Sequence, residues 1–240
     1  MHKTGKTHQV VARQTTFDLF QAFASYYNTA LLLRGKYQHQ IHLLVAVEAE
    51  YIRPSSIGIM RMLQELYKFD FVLGSVHHVN AIPIDFSKEL WQQARQSIGP
   101  DAGDDQLVEL YLDTQLEMLR QLRPAVVGHF DLIRLMATDG GAKTVAEYGE
   151  AVWNKALRNL QFIRGYNGLM ELNSASLRKG WDTPYPGRDI CNVTTCQLFS
   201  FFLFLFFIFF LYIFLVWGFV ANAASIIGIR GNWRTVHALG

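Results

Sequence analysis

Pairs of histidine, carboxylate or asparagine residues stand at four points of this 240-residue chain, each at the end of a largely apolar run. Imidazole and carboxylate groups gathered in one place are typical ligands of zinc, manganese or iron. Taken singly, each residue also suits a structural role, as an ion-pair partner or a hydrogen-bonded core histidine. Asp131, two residues after His129, is expected to orient that imidazole if His129 binds a metal. The eight residues are Glu48, Glu50, His77, His78, His129, Asp131, Glu171 and Asn173.

The runs that carry these residues alternate between strand and helix patterns. Largely apolar runs predict strands over 41–52, 69–79, 125–133 and 169–173. Apolar residues at helical spacing predict helices over 17–37, from 54 to about 67, near 87–97, 105–122 and 145–166. This alternation predicts a parallel sheet covered by helices, either a barrel or a doubly wound sheet. Polar residues at every strand end favour the barrel, because barrel enzymes build their active sites at that rim, although four units are too few to close one.

The charge of the chain is nearly balanced, with 22 basic and 20 acidic residues. Arg230 and Arg234 account for the basic excess, so the rest of the chain is neutral. It therefore lacks the basic surface of a general nucleic-acid-binding protein. The only cysteines are Cys191 and Cys196. Two cysteines do not make a disulfide-stapled secreted scaffold, and a reducing compartment is expected.

The C-terminal part has no charged residue between Asp189 and Arg230 and contains more than half of the 18 phenylalanines. Its run over 198–220 is long and apolar enough to predict a transmembrane helix, and a membrane is a partner only if that helix is genuine. The same low-complexity pattern arises when a non-coding stretch is read as protein, and both alternatives stay open. The predicted domains are a divergent segment over 1–14, a partial α/β barrel over 15–191 and a hydrophobic tail over 192–240.

Four motifs around the strand ends occur in the order of a known family. They are VEAEYIRPSS (47–56), GSVHHVNAIPIDF (74–86), VGHFDLIRL (127–135) and MELNSASLRKG (170–180). Together they resemble the fungal-type histidinol-phosphate phosphatases of the polymerase-and-histidinol-phosphatase (PHP) superfamily over residues 15–191. The resemblance implies a distorted (β/α)7 barrel with three metal ions. It also implies a cytoplasmic phosphoric monoester hydrolase that converts a small phosphate ester, L-histidinol phosphate, to L-histidinol and phosphate in histidine biosynthesis.

The resemblance also assigns roles to individual residues. Glu48 matches a carboxylate that bridges two metal ions, and His77 and His129 match metal-binding histidines. His78, the neighbour of His77, is assigned a structural or substrate-facing role. Four residues are candidates for binding the phosphate or the imidazole end of the substrate: Arg134, Asn173, Arg178 and Lys179. Arg134 is the first choice for phosphate, because a guanidinium fork matches a phosphate edge.

The sequence departs from the family pattern at both ends, because it has no H-x-H motif before Glu48 and no D-x-H motif after Cys191. The expected fold is therefore an incomplete (β/α)7 barrel, truncated at both ends, with a C-terminal hydrophobic helix. Three protein ligands are enough for one open metal position and too few for a cluster of three. Three alternatives stay open: a histidinol-phosphatase, a non-catalytic relative with a single membrane anchor, and a gene product whose full form is a longer soluble enzyme with both motifs. The sequence predicts neither the metal nor the oligomeric state.

Overall fold

The computed structural model describes residues 16–178, 180–181, 183–194 and 229–230, and the element bounds below refer to them. The helices are α1 (Thr16–Tyr37), α2 (Ser56–Leu66), α3 (Lys88–Gln96), α4 (Asp104–Leu122), α5 (Glu150–Gly165), α6 (Ala175–Arg178) and α7 (Arg188–Val193). The strands are β1 (Ala46–Glu50), β2 (Phe71–Ser75), β3 (His78–Val79), β4 (Ile82–Pro83), β5 (Val126–Val127), β6 (Leu169–Met170) and β7 (Ile229–Arg230). Short 3-10 helices cover Leu132–Met136 and Ala146–Tyr148.

Four parallel strands, β1, β2, β5 and β6, lie side by side in the order in which they occur along the chain. The two-residue β7 pairs antiparallel with the outer edge of β1. A doubly wound sheet reverses its strand order at a switch point, whereas successive strands of a barrel are neighbours. The observed order therefore belongs to an α/β barrel-like fold, and of the two predicted alternatives the barrel-like one is confirmed.

Side chains alternate along β1, so the candidate ligand residues face one side of the sheet and the core residues face the other. Val47 and Ala49 belong to an apolar cluster with Val72 of β2 and residues of α1 and α2. Glu48 and Glu50 point to the other face, because successive residues of a strand face opposite sides of the sheet. Burial of the apolar face thus fixes the direction of both carboxylates.

The larger core is formed by α3, α4 and α5 with the loop that follows β5. The buried indole of Trp91 donates a hydrogen bond from Nε1 to the carbonyl oxygen of Ile133 over 2.9 Å. The carbonyl oxygen of Phe130 accepts two more, from the hydroxyl of Tyr111 at 3.0 Å and from Nε2 of Gln115 at 2.9 Å. A buried carbonyl without such a partner costs about 1–3 kcal/mol. Helix side chains therefore hold this loop in place.

The strand predicted over 125–133 is shorter than expected. Only Val126–Val127 pairs in the sheet, and the chain then turns at His129, whose backbone has a positive φ of 26°. A hydrogen bond of 2.9 Å from the backbone N–H of Leu132 to the carbonyl oxygen of His129 closes this turn. An apolar run does not distinguish a buried strand from a buried turn and 3-10 helix, because both hide the same side chains.

The candidate transmembrane helix over 198–220 and the segment over 1–14 lie outside the described residues. Across the part of the chain that is described, no helix is both long enough and apolar enough to cross a bilayer. The domain division and the C-terminal hydrophobic helix therefore stay predictions.

Candidate metal centre

Three buried side chains from three neighbouring strands meet at one edge of the sheet. Glu48 lies on β1, His77 follows β2, and His129 lies two residues beyond β5. The carboxyl ends of parallel neighbouring strands meet at the same edge, which is where barrel enzymes place their reactive groups. The structure thus brings together the three residues that the sequence predicts as metal ligands.

The ligand atoms of these side chains lie within 4.8 Å of one another. Nε2 of His77 and Nε2 of His129 are 2.9 Å apart. Oε1 of Glu48 lies 3.8 Å from the first nitrogen and 3.6 Å from the second. Around a tetrahedral zinc ion with bonds of about 2.1 Å, two ligand atoms lie about 3.4 Å apart. The three measured distances bracket that spacing, so the group has the dimensions of a metal site.

Glu171, which follows β6, contacts the ring of His129 on the side away from the cluster. Its Oε2 lies 3.2 Å from Nδ1 of His129 and accepts a hydrogen bond of 2.9 Å from the backbone N–H of the same residue. Nδ2 of Asn173 donates to Oε1 of Glu171 over 3.0 Å, and Oδ1 of Asn173 accepts from the backbone N–H of Ala175 over 2.8 Å. A carboxylate in this position fixes the tautomer and the orientation of an imidazole. Asn173, predicted to bind substrate, here positions Glu171.

Asp131 does not orient His129, and that expectation is wrong. Oδ2 of Asp131 accepts hydrogen bonds from Nη1 of Arg134 over 2.7 Å and from the backbone N–H of Gly187 over 2.9 Å. In a continuous strand residues 129 and 131 would face the same side. The turn at His129 removes that relation, so the carboxylate comes from the neighbouring strand instead.

The buried pair of His129 and Glu171 shows opposite shifts in pKa. Burial by itself lowers the pKa of His129, but the hydrogen bond to Glu171 and the charges of Glu48 and Glu171 outweigh it and raise that pKa above its ordinary value. Burial by itself raises the pKa of Glu171, but its contacts with His129 outweigh it and lower that pKa. Both pKa shifts show that the contact favours the negative form of Glu171 and the positive form of His129.

The orientation of the two rings calls for a proton or a metal ion between their Nε2 atoms. Nδ1 of His129 faces the carboxylate of Glu171, so its proton belongs there and Nε2 carries the lone pair. That lone pair faces Nε2 of His77 across 2.9 Å, with the carboxylate of Glu48 beside both. A proton or a metal ion between the nitrogens removes the resulting repulsion, which is strong in a buried site. Two imidazoles and a carboxylate suit zinc, manganese or iron, so the residues present fit a divalent metal ion.

Arg134 is held away from a simple phosphate-binding role by its own contacts. It is 3% exposed, and its guanidinium donates to Asp131, to the carbonyl oxygen of Gly141 at 3.0 Å and to that of Lys143 at 2.7 Å. These contacts tie three segments together, as in a structural arginine. Its binding of substrate stays a prediction. The side chains of two further candidates lie outside the described part of the chain: Arg178 and Lys179.

Ser75 contacts Glu48, and Glu171 contacts His129. The sequence places Glu171 only among the polar residues at strand ends and assigns no role to Ser75. The buried hydroxyl of Ser75 donates to Oε1 of Glu48 over 2.8 Å. Ser75 lies beside Glu50 in the register of β1 and β2, and therefore shares the face of Glu48. The sequence shows only a serine at the end of an apolar strand. Its contact with Glu48 can be predicted only when the register of β1 and β2 is known.

Replacement of Glu171 by alanine is expected to weaken zinc binding by about 10–100-fold, because His129 loses the group that sets its tautomer and orientation. Competition with a chromophoric chelator measures this affinity in the full chain. Glu65→Ala, at an exposed position of α2, is the matched control and should bind zinc like the unaltered chain. Equal zinc affinity in both variants would contradict the positioning role of Glu171.

The chain is similar in sequence to a family model and to known proteins. The PHP domain model matches residues 7–175. The chain is 44% identical over 180 residues to the "Probable histidinol-phosphatase" of Schizosaccharomyces pombe, with 75% of this chain and 58% of that protein covered. It is 34% identical over 151 residues to the histidinol-phosphatase of Saccharomyces cerevisiae, with 55% of this chain and 44% of that protein covered.

A solved structure supports the same fold. The Listeria monocytogenes protein assigned as a histidinol phosphatase superposes with a TM-score of 0.58 at 19% identity, over 73% of this chain and 67% of that one. At that identity the likeness concerns the fold. The chain spans about half the length of the two curated fungal relatives. The match to the family model nonetheless extends over most of the described chain, and the chain belongs to the PHP domain family.

Proposed function

We propose that this chain carries the central part of a metal-dependent histidinol-phosphatase, which hydrolyses L-histidinol phosphate to L-histidinol and phosphate in histidine biosynthesis. The observation that carries the proposal is the convergence of Glu48, His77 and His129 in a PHP-family chain. The identity to two fungal proteins that bear this name supports the choice of substrate. The substrate is thus a small phosphate ester.

In the mechanism that we propose, Glu48, His77 and His129 hold the metal ion. A bound divalent ion supplies hydroxide at neutral pH and neutralises charge on the phosphoryl oxygens. Glu171 keeps the lone pair of His129 directed into the site, and Ser75 holds the carboxylate of Glu48. Glu48, Ser75, His77 and His129 are buried, which keeps water from reorienting them, so they are in place before substrate binds.

The finer fold description that we propose is an incomplete (β/α)7 barrel of the PHP type, of which β1, β2, β5 and β6 form four neighbouring parallel strands. The three ligands suit one open metal position with zinc, manganese or iron. A centre with three ions needs further ligands, such as those of H-x-H and D-x-H motifs, and this sequence contains neither. Substrate contacts of Arg134, Asn173, Arg178 and Lys179 and a cytoplasmic location remain predictions from the family resemblance.

The test is phosphate release by the full chain from L-histidinol phosphate, with manganese or zinc added and with EDTA as the metal-free arm. We expect turnover that requires the metal and that exceeds the turnover of O-phosphoserine, which lacks the imidazole. Absence of turnover in a chain that binds metal would overturn the phosphatase proposal for this chain. Equal rates on both esters would overturn the choice of substrate.

A further inference from the structure

Glu50 is a second carboxylate of β1 on the same face as Glu48, and the cluster described above does not use it. It is 1% exposed. Its Oε1 lies 2.7 Å from Nδ1 of His78 and 3.5 Å from Nδ1 of His77. A buried carboxylate is strongly destabilising unless charged or polar partners surround it. Two ring nitrogens, one from each of the adjacent histidines, lie near this carboxylate.

The two nitrogens of the His77 ring face different groups. Nε2 faces His129 and Glu48, whereas Nδ1 is buried on the side of Glu50. A neutral imidazole has one N–H and one lone pair, and the group facing one nitrogen decides which of them the other presents. A carboxylate at Nδ1 favours the proton there and leaves the lone pair on Nε2.

We propose that Glu50 is a positioning residue for metal binding, which holds His77 in the tautomer that presents the Nε2 lone pair to the ion. The inference rests on the metal centre of the proposed function. Glu50 acts on Nδ1 of His77 through its charge at 3.5 Å, whereas Glu171 hydrogen-bonds Nδ1 of His129 at 3.2 Å. His78, which the sequence left as structural or substrate-facing, fixes the carboxylate through its shorter contact of 2.7 Å.

The backbone of His77 is fixed by a hydrogen bond, so Glu50 can affect only the imidazole ring. The carbonyl oxygen of His77 accepts a hydrogen bond of 2.9 Å from the backbone N–H of Ile84, beyond the β3–β4 hairpin. The main chain at His77 is therefore held by the hairpin. The backbone hydrogen bond determines neither the rotation of the His77 side chain nor the tautomer of its ring, and the carboxylate of Glu50 acts on both.

Glu50→Gln tests this inference, because glutamine keeps the shape of glutamate and removes its charge. Isothermal titration with zinc alone should give a Kd about 10–100-fold higher than that of the unaltered chain. The thermal midpoint of the metal-free variant should be no lower than that of the unaltered chain, since a purely structural carboxylate would affect stability first. Glu65→Gln on the surface of α2 is the matched control and should retain the zinc affinity of the unaltered chain.

The unaltered chain offers a second measurement that does not depend on a variant that folds. Long-range ¹H–¹⁵N spectra of the zinc-loaded chain show which ring nitrogen of each histidine carries a proton, and His77 should carry its proton on Nδ1. A proton on Nε2 of His77, or unchanged zinc affinity in Glu50→Gln, would overturn the role of Glu50 while leaving the metal centre intact. Failure of the unaltered chain to bind zinc would overturn the metal centre and this inference together.

Discussion

Replacement of His129 by alanine is expected to lower metal-dependent phosphate release by more than about 100-fold. Loss of a group that only orients a metal ligand costs about 10–100-fold, and loss of the ligand itself exceeds that. Two protein ligands would remain, which is fewer than the three found in mononuclear zinc hydrolases. The variant also leaves Glu171 buried without its imidazole partner. Phosphate release and zinc content of the purified full chain measure the two effects together.

The exposed His42, shortly before β1, provides the matched control. His42→Ala removes an imidazole of the same type without touching the cluster, and should keep both phosphate release and zinc content. A His129→Ala variant that folds and retains its zinc would refute the assignment of His129 as a ligand. Retained zinc with lost turnover would instead limit His129 to a role in the reaction itself.

That the ligands lie close together could be predicted from the sequence, because residues at the carboxyl ends of neighbouring parallel strands lie at the same edge of the sheet. Glu48, His77 and His129 each end or follow an apolar run, and the carboxyl ends of neighbouring parallel strands share one edge. The prediction that these side chains meet therefore required only that the three runs be strands of one sheet, whereas the choice of these three residues as ligands came from the family resemblance. The order of the strands follows from the same alternation of strand and helix, without knowledge of any side-chain contact.

The partners of the ligands could not be predicted in this way. The carboxylate that contacts His129 belongs to Glu171, 42 residues further along the chain, and not to Asp131, two residues away. That outcome depends on where β5 ends and how β6 lies beside it, and a one-residue change in either would reverse the faces. Glu50 raises the same difficulty, since its contact with His78 depends on the β3–β4 hairpin that follows β2.

Arg134 is the clearest case in which the residue type suggests one role and the surroundings another. A guanidinium matches phosphate in shape and charge, which is the basis of the sequence prediction. In the folded chain the same donors bind Asp131 and two backbone carbonyl groups, and the guanidinium lies 5.3 Å from the ring centre of Trp181. Hydrogen-bond donors occupied in this way stabilise the loops around the site.

Arg134→Met is accordingly expected to lower the free energy of unfolding by about 3–5 kcal/mol, the usual effect of removing one member of a buried ion pair. Methionine fills much of the space of the arginine stem, so the loss arises mainly from the charge left on Asp131, which is 1% exposed. Urea unfolding of the metal-free full chain measures this change in the free energy of unfolding.

Arg158→Met is the matched control for this prediction, because Arg158 pairs with Asp113 at the surface, where both side chains are more than a third exposed. An exposed pair contributes about 0–1 kcal/mol, so this variant should unfold at nearly the same urea concentration as the unaltered chain. If Arg134→Met also unfolded there, and raised the KM for L-histidinol phosphate instead, the structural role would be refuted. The result would restore the phosphate-binding role, because a substrate contact changes affinity for the ester without changing the stability of the unliganded fold.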